Sequence, residues 1–104
     1  MGLSFVGGED REGAAIYMLH DGSGPQERAM LDVKDRLERL KLPHQMQIFS
    51  VRDKEGEEIR DFYDIQSMPT VMIIRDNDEL AYFWTGEQIP DAETISYHAR
   101  QVSS

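Results

Sequence analysis

Few side chains in this sequence could carry chemistry, so each is tested against its spacing. His20 and Ser23 lie three residues apart in His20-Asp21-Gly22-Ser23-Gly24. They would suit a base and a nucleophile, but no third group orients the base and no oxyanion donor adjoins them beyond the helix start itself. Ser23 serves more simply as a helix cap, its hydroxyl accepting a free backbone N–H. The histidines are His20, His44 and His98. They fall in distant segments, and metal ligands must converge, so no metal is expected and the three read as ordinary surface or half-buried residues. The helix start at Gly22, Ser23, Gly24, Pro25 and Gln26 presents free backbone N–H groups, Pro25 excepted, and could hold an anion. Twenty acidic against eleven basic residues give a charge of −9, which opposes that use. The same charge repels phosphate backbones and anionic membranes. The cysteine count is zero, which removes disulfides, thiolate metal sites and any thiol nucleophile.

The elements that must position these residues follow from period and composition. The chain has 104 residues, enough for one domain, and is 39% hydrophobic, enough for one modest core. No apolar run approaches the ~20 residues of a membrane helix. No secretory pattern opens the chain, and a cytoplasmic location is expected. Residues 1–13 hold four glycines and an acidic run, and read as a flexible N-terminal arm; residues 14–104 read as a single domain. Residues 14–19 are an apolar run stopped by turn formers, a buried strand. Pro25 opens a helix in which Met30, Val33, Leu37 and Leu40 recur at spacings of three, four and three, and Pro43 closes it. Residues 46–51 form a second strand and 53–56 a polar loop. Ile59, Phe62 and Tyr63 then give one face of a short helix. Residues 71–74 and 80–84 form a hairpin around Asp76-Asn77-Asp78. Gly86 and Pro90 break the last strand. Ala92, Ile95, Ala99 and Val102 mark a final helix capped by Asp91. The order β-α-β-α-β-β-α predicts a four-stranded mixed α/β sheet with helices on both faces and a parallel first pair. Tyr82-Phe83-Trp84 would then be covered on both sides as core.

Two segments go beyond pattern. Tyr63-Asp64-Ile65-Gln66-Ser67-Met68-Pro69-Thr70-Val71 resembles the thioredoxin segment in which Pro-Thr enters a strand. In that family the proline is cis and lies beside the active site, so the resemblance implies a cis Met68–Pro69 bond with Met68 exposed at a loop tip. Gly22-Ser23-Gly24-Pro25-Gln26 stands where the family has Trp-Cys-Gly-Pro-Cys. Thr85-Gly86 is similar to the family's glycine loop. The likeness spans roughly residues 14 to 102 and lacks the additional N-terminal strand and helix of bacterial thioredoxin.

The departures from the family govern what function is expected. Disulfide exchange needs one thiolate to attack and a second thiol to resolve. Ser23 and Gln26 replace both, and Tyr17 replaces the buried acid beneath them. The resemblance therefore implies a redox-inactive module with no cofactor. It would bind an unidentified protein or peptide, or join an assembly, through a groove walled by Gly22, Ser23, Gly24, Pro25, Gln26, Met68, Pro69, Thr70, Thr85 and Gly86. A monomer is expected. The alternative is a non-thiol enzyme or glutathione-binding protein at the same groove, with Ser23 stabilising a bound thiolate.

Overall fold

The computed structural model describes residues 14–42, 44–86 and 89–103; the expected arm at 1–13 lies outside them. Seven elements follow one another: β1 (Ala15–His20), α1 (Gly24–Arg39), β2 (Gln45–Ser50), α2 (Lys54–Phe62), β3 (Thr70–Ile74), β4 (Leu80–Thr85) and α3 (Ala92–Ser103). The strands form one sheet in the order β2-β1-β3-β4. β1 and β2 are parallel, with Ala15 beside Gln45, and the other pairs are antiparallel. This is the expected mixed sheet.

Alternation along β1 and β3 divides the core between two faces, because successive side chains leave a strand on opposite sides. Ala15, Tyr17, Leu19, Met72 and Ile74 pack with Ile59 of α2. Ile16, Met18, Val71 and Ile73 pack with Met30 and Leu37 of α1 and Ile95 and Ala99 of α3. β1 and β3 are the inner strands and are buried along their whole length, which is why both read as continuous apolar runs.

Three expectations are corrected. Residues 54–56 are the first turn of α2 rather than a loop. Gly56 is buried there, and a Cβ on it would run into the Ser50 carbonyl, so the glycine marks a close approach of helix to strand. Second, β4 is an edge strand and is not core: Tyr82 is 40% and Phe83 51% exposed. The nine residues of α2 pack against β2, at the far side of the sheet. Phe62 at the end of α2 is likewise exposed. Third, His20 and His44 are buried, at 5% and 6% exposure. His44 is held by a 2.9 Å bond from Nε2 to the Ala99 carbonyl.

A bulge separates the pairs Ile73–Tyr82 and Ile74–Leu80, leaving Ala81 without a partner across the ladder. Leu80 therefore joins the α2-side core while Trp84 joins the α1/α3 side. No helix among the described residues is long and apolar enough to cross a membrane.

Candidate functional site

β1 delivers the chain to residues 21–23 at the carboxyl end of the sheet, and α1 starts at once. The turn is closed by its own side chains. His20 Nδ1 accepts the Gly22 amide at 3.0 Å, and Asp21 Oδ1 accepts the Ser23 amide at 2.8 Å. Ser23 caps α1, its Oγ accepting the Gln26 amide at 3.4 Å. Gln26 Oε1 returns to accept the Asp21 amide at 2.9 Å. Hydrogen bonding from Ser23, side chain first and main chain second, holds the Asp21 carboxyl below its usual range.

Gly22 has φ +92°, which favours glycine. Arg52 lies across the position a Cβ would occupy there, and its Nε donates to the Asp21 carbonyl at 3.1 Å. The imagined His20–Ser23 pair is not assembled. His20 Nδ1 accepts the Gly22 amide, while the Ser23 hydroxyl accepts the Gln26 amide and donates to the Asp21 carboxylate, not to His20. Among the described residues no group of three or more histidines and carboxylates could hold a metal ion.

The facing wall is the loop into β3. The Met68–Pro69 peptide bond is cis. Around it, Ser67 O, Thr70 Oγ1 and Thr85 Oγ1 form a triangle with edges of 2.6, 2.9 and 2.9 Å. Each hydroxyl has one proton, so two protons serve three contacts. The Gly86 amide donates to the Pro69 carbonyl at 3.0 Å. Gly86 has φ +101°, and nothing lies within 4 Å of where its Cβ would be. Met68 is half-buried, packed on the α2-side core instead of exposed at a tip, and Pro69 and Thr70 are buried.

Between the two walls lies a cavity of about 390 Å³. Pro25, Gln26 and Pro69, three of the residues expected at the groove, line it. Ala29, Val33, Asp32 and Ile89 also line it and were not anticipated. Gln26, Ala29 and Val33 follow a three-then-four spacing on one face of α1, a signal present in the sequence. Ile89 carries no such signal. The remaining expected residues, Gly22, Ser23, Gly24, Met68, Thr70, Thr85 and Gly86, do not line the cavity. Most of them build its frame: Ser23 caps, Gly22 turns, and Thr70, Thr85 and Gly86 tie β3 to β4 around Pro69.

The fold is similar to that of solved thioredoxins. A single-residue variant of thioredoxin from Halobacterium salinarum superposes with a TM-score of 0.67 at 16% identity, covering 88% of this chain and 75% of that one. Thioredoxin from Fasciola hepatica gives 0.66 at 15% identity, covering 90% and 85%. The germline-specific thioredoxin Deadhead of Drosophila melanogaster gives 0.63 at 18%, covering 91% and 84%. No family model and no curated protein matches the sequence. At these identities the likeness defines the fold: this is a thioredoxin-fold α/β protein. It is also a cysteine-less one, and thiol–disulfide exchange has no atom to proceed through.

Proposed function

We propose that this protein is a redox-inactive binding module that holds an extended segment of another protein at the cis-proline groove, alone or as a subunit of an assembly. One observation carries the reading. The Met68 amide and carbonyl have no hydrogen-bond partner among the described residues, whereas the carbonyls on either side, of Ser67 and Pro69, are both tied down. An extended chain laid beside Met68 would satisfy that free peptide edge, as strand addition does elsewhere. The cavity under Pro25, Ala29, Val33, Pro69 and Ile89 would take an apolar side chain from it.

The partner is a protein or peptide because the charge of −9 disfavours nucleic acid and anionic membrane. We assign the chain no catalytic role, no cofactor, a monomeric state and a cytoplasmic location. The glutathione-dependent alternative loses ground because the Ser23 hydroxyl donates its proton to the Asp21 carboxylate.

The test is selection of displayed random dodecapeptides on the pure protein, followed by titration of one synthetic binder into ¹⁵N-labelled protein. Amide shifts centred on Gln26, Met68 and Gly86 are expected. Shifts confined to α2, with none at Met68, would overturn the assignment.

A further inference from the structure

β4 is an outer strand, and its six residues, Leu80 to Thr85, carry no charge. Outer strands are ordinarily guarded by a charge, a proline or a covering element, because their free amides and carbonyls recruit other chains. Here Tyr82 and Phe83 stand on opposite faces and are both exposed. The two faces differ. Toward α3, Tyr82 and Trp84 lie nearly parallel, 12° apart, with centroids 6.2 Å apart. His98 backs both rings, at 4.4 and 5.5 Å. The edge thus carries a ladder of aromatic faces, and such faces attract cations. Acids lead into the strand: Asp76, Asp78 and Glu79 precede it. A second copy is a poor occupant. Antiparallel self-pairing about the Tyr82–Phe83 centre would bring together two chains that each carry −9.

We propose that the β4 edge is a docking surface for an extended segment of another protein with Arg or Lys at alternate positions. The segment adds as a fifth strand, main chain to main chain, with its cations on the Tyr82–Trp84 ladder and one end against Asp76, Asp78 and Glu79. This surface is independent of the cis-proline groove, since Tyr82, Phe83 and Trp84 do not line that cavity.

The probe is a synthetic nonapeptide alternating arginine and valine. Trp84 is the single tryptophan, so its emission reports on the strand directly. Saturable change in Trp84 emission and amide shifts along β4 are expected. Tyr82→Lys should weaken binding at least tenfold, and Tyr82→Phe, which keeps the ring face, should retain it. A peptide N-methylated at alternate residues should fail on the unaltered protein, a control that does not depend on any variant folding. Three results overturn the proposal. The first is equal binding of a composition-matched peptide with its arginines clustered, which would mean attraction by net charge alone. The second is loss of binding in Met68→Gln but not in Tyr82→Lys, which would place the peptide in the groove. The third is a β4-paired dimer in light scattering.

Discussion

Gln26 holds Asp21 across the first turn of α1: its side-chain oxygen accepts the Asp21 amide at 2.9 Å, five residues back along the chain. Gln26 is thus a staple of the loop. Removing it strands a partly buried amide. Gln26→Ala should cost about 1 kcal/mol, since an amide left without its acceptor loses a net bond of that order. In a domain of this size that lowers Tm by roughly 4–8 °C. Hydrogen exchange at the Asp21 amide should accelerate as well. An unchanged melting curve and exchange rate would show the bond to be idle.

Gly56→Ala should destabilise by about 1–3 kcal/mol, because the new methyl must displace either the Ser50 carbonyl or the start of α2. Gly86→Ala meets open space and should suffer only the strain of its positive φ, on the order of 1 kcal/mol. Urea unfolding of the two variants checks the order.

Stability should decline as pH falls below about 6.5, through His44. Burial, aided by the Arg100 charge and opposed by the Ala99 bond, lowers the pKa of this imidazole from its ordinary 6.5. The unfolded chain therefore takes up a proton that the folded chain refuses. The loss starts near 6.5 and ends once the folded value is passed. His44→Gln should flatten that slope in urea titrations between pH 8 and 5. Asp21 and Asp91 act in a separate window. Their carboxyls are held below 3.8 by bonds from Ser23 and Thr94, so their contribution persists until the pH drops beneath that value.

The protein should not speed reduction of a protein disulfide by dithiothreitol. Ser23→Cys, at the cap of α1, should acquire a thiol that reacts with an aromatic disulfide reagent faster than a cysteine on an exposed helix face, because the helix start stabilises the thiolate. Turnover by the unaltered chain would refute the redox-inactive assignment.

At the groove, Met68→Arg and Gly86→Trp should each weaken a selected peptide more than tenfold, about 1.4 kcal/mol. Met68 is half-buried, so its melting curve must be recorded alongside. Glu57→Lys with Glu58→Lys, at an exposed and a half-buried position of α2, should leave affinity near its starting value. If that pair abolishes binding and Met68→Arg does not, the partner docks on α2.

How much of this was legible in the sequence depended on whether a residue signals through its neighbours. β1 and β3 are buried on both faces, so their continuous apolar runs announced them. Pro25 and the spacing of Met30, Val33 and Leu37 did the same for α1. Gly56 misled, because a glycine that permits close packing reads like one that ends an element. Tyr82-Phe83-Trp84 misled because aromatic content cannot tell an inner strand from an outer one; strand order decides that. In the groove, Pro25, Gln26 and Pro69 were anticipated from a resemblance. Ala29 and Val33 follow Gln26 on one face of α1 by helical spacing, and Ile89 reaches the cavity only through the path of the chain before α3.

The bulge in β4 makes Ala81 supernumerary. Ile74 already pairs with Leu80 and Ile73 with Tyr82, so deleting Ala81 closes the ladder without moving any facing pair. Most single-residue deletions inside a strand turn every later side chain over. Here the shortened chain would keep Leu80, Tyr82 and Trp84 on their present sides. β4 is thus a strand with two permitted lengths.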